Sequence, residues 1–124
     1  MIKPLIIVGA GGLGCQLVER VLSDPANGSH WCLTGVFDDR ATKSSDIKQW
    51  SAGFNYKLSH YCDCSNLPLD DNACFLPAIG DPFEKEKYVH LIQGLGGYFV
   101  SLLHVDNERS QTASIGESII MKNC

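Results

Sequence analysis

The sequence predicts an α/β domain built on a parallel sheet with helices on both faces. Three observations carry this. Leu5-Ile6-Ile7-Val8 is a continuous, branched apolar run that ends directly in glycine, the pattern of a strand buried on both faces. Leu13, Leu17, Val18, Val21 and Leu22 then recur at helical spacing, with Glu19 and Arg20 on the other side and Ser23-Asp24-Pro25 as a stop. After the Asn27-Gly28-Ser29 loop, a second apolar run, Cys32-Leu33-Thr34-Gly35-Val36-Phe37, ends in Asp38-Asp39. Strand, glycine loop, helix and strand make one right-handed βαβ unit.

Residues 40–72 are polar, contain Gly53, Pro68 and several Ser and Asn, and show no clean period. They read as mostly irregular, with one short strand. Ala73 to Gly80 reads as a third strand, with Pro77 near its end because proline removes a ladder donor. A well-marked helix follows: Asp81 as N-cap, Pro82 at the first helical position, and Glu84 placed to complete a capping box. Tyr88, Leu91, Ile92 and Leu95 give its buried stripe, and Gly94 with Gly96-Gly97 closes it. Tyr98 to Leu103 is the last strand, leading to His104. This alternation of strand and helix is what requires parallel pairing, with the helices as crossovers.

Composition narrows the function. A chain of 124 residues, 44% of them hydrophobic, builds one ordinary core. A formal net charge of -4 supplies no general field for a polyanion, so nucleic acid is not expected as a partner. No run approaches the roughly 18 apolar residues of a membrane helix, and nothing before Pro4 resembles a signal peptide. No membrane partner and a cytoplasmic location are therefore expected. The six cysteines, Cys15, Cys32, Cys62, Cys64, Cys74 and Cys124, are irregularly spaced and read as reduced thiols. His60, Cys62, Cys64 and Cys74 raise the question of zinc, but C-x-C without a second close pair is a weak signal, and no metal is expected.

The chemistry is carried by Gly9-Ala10-Gly11-Gly12-Leu13-Gly14. Gly9, Gly11 and Gly14 satisfy G-x-G-x-x-G, whose physical demands are a tight turn, close approach of backbone to phosphate, and close packing of helix on strand. The helix start then offers free N–H groups and the positive end of its dipole. Asp38 and Asp39, about 24 residues beyond Gly14, are placed to accept hydrogen bonds from ribose hydroxyls or a base. In a Rossmann-like sheet, ligands lie beyond the carboxyl ends of the strands. The glycine loop, Asp38-Asp39, Gly80-Asp81 and His104 all fall at such ends. The bland alternatives are a purely structural turn and a polar strand end. His104 is a candidate base, although a lone histidine more often only packs; His30, His60 and His90 have no evident partners.

With these residues in place the chain resembles the N-terminal domain of bacterial sugar acetyltransferases of the sialic-acid O-acetyltransferase and UDP-4-amino-sugar N-acetyltransferase type. The matching blocks are Leu5 to Gly14, Gly35-Val36-Phe37-Asp38-Asp39, Ala78-Ile79-Gly80-Asp81-Pro82, and Leu95 to His104, in the family's order. The resemblance implies a nucleotide-linked amino sugar, UDP- or CMP-linked, as ligand. Gly9, Gly11, Gly12, Leu13 and Gly14 would lie on the diphosphate, Asp38 and Asp39 near the nucleoside, and Gly80 and Lys85 beside the ligand. In the family a left-handed β-helix of six-residue repeats follows, which trimerises, binds acetyl-CoA and supplies a histidine base.

Ile115-Gly116-Glu117-Ser118-Ile119-Ile120 looks like one such repeat. The chain thus divides into a nucleotide-sugar-binding domain, residues 1–105, and the short remnant of a hexapeptide-repeat β-helix or tail, residues 106–124. A single repeat has no neighbours to stack on, so this tail is expected to be loosely held or borrowed into the sheet. The acetyl-CoA site and the catalytic histidine have no counterpart in these residues, so binding without turnover is expected; self-association is left open.

The sequence departs from the family in several places. Leu13 stands where the loop often carries histidine, Val105 where proline usually follows the late histidine, and Lys85 where arginine is common; residues 51–72 match nothing in it. Two other readings stay open. One is an NAD-type dinucleotide-binding domain of an oxidoreductase or redox sensor, which the loop and Asp38 permit. The other is an interaction module that keeps the fold and has lost its ligand.

Overall fold

A computed structural model of the chain describes residues 2–25, 27–29, 31–102 and 120–122. Its strands are β1 (Lys3–Val8), β2 (Trp31–Phe37), β3 (Ser59–Tyr61), β4 (Cys74–Pro77), β5 (Tyr98–Leu102) and β6 (Ile120–Lys122); its α-helices are α1 (Gly12–Leu22), α2 (Ser44–Phe54) and α3 (Pro82–Gly94). The sheet order is β3-β2-β1-β4-β5-β6. The first five strands are parallel throughout, and β6 pairs antiparallel with β5 at the edge. The fold is α/β.

The apolar run of β1 explains why it lies at the centre. Leu5, Ile6, Ile7 and Val8 are all fully buried, and successive side chains serve opposite faces. Leu5 and Ile7 pack with Val18 and Val21 of α1 and Ile47 of α2. Ile6 and Val8 pack with Phe75, Phe99, Ile92 of α3, and Leu67. Two helices therefore cover one face, and α3 with the segment around Leu67 covers the other.

Residues 40–72 differ most from expectation. They hold α2 as well as the expected short strand β3, with 3₁₀ turns at Ala41–Lys43, Cys64–Asn66 and Leu69–Asp71. The helix rests on Ile47, Trp50 and Phe54, a helical spacing thinned out by serines and Gly53; Ile47 is buried, and the two aromatics are half-buried against the core. Asn55 ends it in the left-handed conformation (φ 51°), where Tyr56 N–H reaches the Ser51 carbonyl at 3.0 Å.

The other helices keep their places but bury narrower stripes. In α1, Val18 and Val21 are buried, Leu17 and Leu22 are half-buried, and Leu13 is exposed. In α3, Ile92 is buried and Tyr88 half-buried, while Leu91 and Leu95 face solvent. Asp81 caps α3 by accepting from Phe83 N–H at 2.9 Å, with Pro82 at the helix start. Glu84 does not complete the expected box among the described hydrogen bonds; it lines a cavity instead. Gly96 and Gly97 N–H close α3 onto the Gln93 and Ile92 carbonyls, both at 3.0 Å.

Of the expected tail, Ile120–Lys122 is on the sheet as β6. Leu103, His104, Val105 and all of the candidate repeat but Ile120 lie outside the described residues. Among the described residues no helix is long and apolar enough to cross a membrane.

Candidate functional site

Register brings the site together. Val8 pairs with Phe37 on one side and Pro77 on the other, so β1, β2 and β4 end level. The residues just beyond are sewn to one another: Gly9 N–H donates to the Phe37 carbonyl at 2.8 Å, Ala78 N–H to Val8 at 2.8 Å, and Asp38 N–H to Tyr61 at 3.0 Å. Over this edge lies a cavity of about 410 Å³ lined by Val8, Gly9, Phe37, Asp38, Asp39, Arg40, Ile79, Glu84 and Tyr88. Small-molecule pockets fall in the range of roughly 300–1,000 Å³.

The glycines of the loop divide the work. Gly9 has φ +116°, and a Cβ there would meet the Ala78 carbonyl oxygen at 2.9 Å. At Gly14 a Cβ would fall 2.2 Å from the Gly9 carbonyl oxygen, so helix and strand touch through bare backbone. Gly11 and Gly12, by contrast, face open space, with nothing within 4 Å of a Cβ. Gly11 is the N-cap of α1 and offers no side chain to the first helical N–H groups. The turn, the packing contact and the open approach that G-x-G-x-x-G requires thus fall on Gly9, Gly14 and Gly11 respectively.

The two adjacent aspartates also divide. Asp38 is 6% exposed, and each of its oxygens is taken. Oδ2 accepts from Ala10 N–H at 2.9 Å and Arg40 Nη2 at 2.7 Å; Oδ1 accepts from Arg40 N–H at 3.0 Å and Arg40 Nε at 2.9 Å. Burial opposes its charge, but the Arg40 guanidinium and the N–H groups of Arg40 and Ala10 outweigh it and hold the carboxyl below the usual carboxylate range. With about four lone-pair directions on a carboxylate, Asp38 is saturated. It ties the glycine loop to the end of β2 instead of reaching outward. Asp39 is exposed, and its described partners are few: Tyr88 Oη donates to its two oxygens at 3.0 and 2.9 Å.

Arg40, Tyr88 and Glu84 were not among the expected site residues. Arg40 follows the aspartates directly, and its side chain, paired bidentately with Asp38, remains 58% exposed at the cavity. Tyr88 and Glu84 are one turn apart on α3, a spacing that puts both on one helix face. Of the expected residues, Gly9, Asp38 and Asp39 line the cavity, whereas Gly11, Gly12, Leu13, Gly14, Gly80 and Lys85 do not. Leu13, Gly80 and Lys85 are exposed nearby in sequence, Leu13 at the start of α1 and Lys85 in the first turn of α3.

The His60, Cys62, Cys64 and Cys74 group disperses. His60 does have a partner, its Nε2 lying 2.8 Å from the Asp38 carbonyl. Cys62 Sγ points to the Asp39 carbonyl, Cys64 packs against the α3 side of the core, and Cys74 is buried beside Pro4. Burial pushes the Cys74 thiol up to about 11, far from a ligating thiolate. Among the described residues no group of three or more His, Cys, Asp or Glu could hold a metal ion, and the described cysteines are free thiols. No protein-family model and no curated protein matches the chain.

Proposed function

We propose that residues 1–105 are a Rossmann-like domain that binds a nucleotide-linked amino sugar, UDP- or CMP-linked, as the substrate-binding part of a cytoplasmic sugar acetyltransferase. The observation that carries this is the division within the glycine loop: Gly9 and Gly14 are packed, while Gly11 and Gly12 leave the uncapped start of α1 open, two residues beyond Gly9 of the cavity wall. An open, uncapped helix start flanked by glycine is suited to a diphosphate, which the N–H groups of Gly12, Leu13 and Gly14 would hold.

The strand order supports the same reading. From β1 the chain runs outward through β2 and β3, then returns to β4 and β5 on the other side. Ligands of open α/β sheets bind where the order reverses in this way, and the cavity spans the ends of β2, β1 and β4. Its chemistry suits a nucleoside: half-buried Ile79, over the buried Val8 and Phe37, is apolar surface for a ring, and Asp39 accepts from hydroxyls or a base. Arg40 is held at the cavity by its bidentate pair with Asp38, which offsets most of its charge there. Gly80 and Lys85, exposed but outside the cavity lining, would lie beside the ligand. Transfer chemistry in the resembled family belongs to a β-helix with acetyl-CoA and a catalytic histidine, for which residues 1–105 carry no counterpart.

Calorimetric titration tests the reading. Heat with UDP, UDP-sugars or CMP-sugars is expected. No heat with any of them at millimolar concentration contradicts it, and heat with NADH alone would assign the loop to a redox dinucleotide.

A further inference from the structure

We infer that Tyr88 is a positioning residue that sets ligand specificity: by fixing the Asp39 carboxylate at the cavity wall, it makes this site select a sugar ring with free vicinal hydroxyls. The inference rests on the nucleotide-binding reading above and extends it to a residue of α3. Tyr88 Oη lies 3.0 and 2.9 Å from the two Asp39 oxygens, joining α3 to the end of β2 across the cavity. The phenol is itself held. Its ring meets Phe37 edge-on at 6.2 Å, and Phe37 is almost wholly buried; the Lys87 ammonium lies 5.3 Å from the ring centroid.

The Tyr88 contact leaves acceptor capacity on Asp39. Tyrosine has one proton to give, and a carboxylate has about four lone-pair directions. Asp38 has none left, so Asp39 is the aspartate with acceptor capacity facing the cavity. Burial and the Asp39 contact push the Tyr88 hydroxyl up to about 12, so it stays a donor at neutral pH. A carboxylate clamped in one orientation accepts from two neighbouring hydroxyls without first losing its own freedom; an unclamped one pays that ordering cost on binding. The cavity also carries Glu84 and Asp38, against Arg40 alone, whose Nε and Nη2 are already spent on Asp38. Hydroxyl donors fit this wall, and a phosphate on the ring does not.

The test is a titration of UDP, CDP and their 2′-deoxy counterparts into the wild type, Tyr88→Phe and Asp39→Asn, with thermal unfolding of each. The wild type is expected to prefer the ribonucleotide by about tenfold, the worth of one hydrogen bond to a charged group. Tyr88→Phe should weaken the ribonucleotide by roughly three- to tenfold and leave the deoxynucleotide unchanged, and Asp39→Asn should erase the preference. Equal losses for both nucleotides in Tyr88→Phe, or a wild type that binds both alike, overturns the role of Tyr88 while leaving nucleotide binding intact. A wild type that binds none of the four overturns both readings together.

Discussion

Asp38 and Asp39 are neighbours in sequence and opposites in structure, and the glycines before them split the same way. Asp38 is buried and saturated by Ala10 and Arg40, as Gly9 and Gly14 are pressed against backbone. Asp39 is exposed and shared with Tyr88, as Gly11 and Gly12 face open space. The carboxyl edge of the sheet therefore has a closed corner that fixes the loop and an open rim that can receive a ligand. A motif of identical residues is thus two devices, and substitutions should separate them: the corner through stability, the rim through binding.

The largest effect belongs to Gly14→Ala. Its Cβ would lie 2.2 Å from a backbone oxygen that no rotamer can move, so α1 must shift off β1. A loss of about 3 kcal/mol is expected, at the upper end of overpacking costs, or roughly 10 °C in Tm at this chain length. Chemical denaturation showing a loss under 1 kcal/mol would dissolve the closed corner.

Asp38→Ala comes next. It leaves the buried Ala10 N–H without its acceptor, and about 2 kcal/mol should be lost; the exposed Arg40 adds little. The acid side of the stability profile gives a second readout. The Asp38 carboxyl lies lower in the folded chain than its unfolded value of about 3.9. Its contribution is therefore complete above that value and fades as pH falls through the folded one. Below about pH 4, wild type should lose stability more steeply than Asp38→Asn; parallel curves would place the brace elsewhere.

The smallest change in stability is expected at the rim. Gly12→Ala enters the first turn of α1 with nothing within 4 Å and should alter stability by less than about 1 kcal/mol, in the stabilising direction because the unfolded chain loses freedom. Its binding of UDP or a nucleotide sugar should nevertheless weaken. Gain of stability with undiminished affinity would mean that ligand phosphate does not approach there.

How legible this was depended on how local the signal is. Leu5 to Val8 and the glycine spacing report themselves, because burial on both faces and a backbone turn leave a pattern in consecutive residues. Asp81-Pro82 did the same for the start of α3. Helix α2 was hidden because its contact with the core needs Ile47, Trp50 and Phe54 alone, among serines that favour loops. The pairing of Asp38 with Arg40 and of Asp39 with Tyr88 was not legible for another reason. Each depends on where the strand ends and which helix face turns inward, and spacing showed an acidic pair without showing that one member is consumed.

Gly11 is where a ligand phosphate would approach the loop. Gly11 has φ -89° and ψ -164°, an extended conformation open to any residue, with nothing within 4 Å of a Cβ. Gly11→Val can therefore be made with little strain, the weaker N-cap costing at most about 1 kcal/mol. Calorimetric titration of this variant with the nucleotide sugar or diphosphate that gives heat with wild type is the most direct test. Binding should weaken at least about tenfold with Tm nearly unchanged; wild-type affinity in Gly11→Val would mean that no ligand phosphate approaches the start of α1.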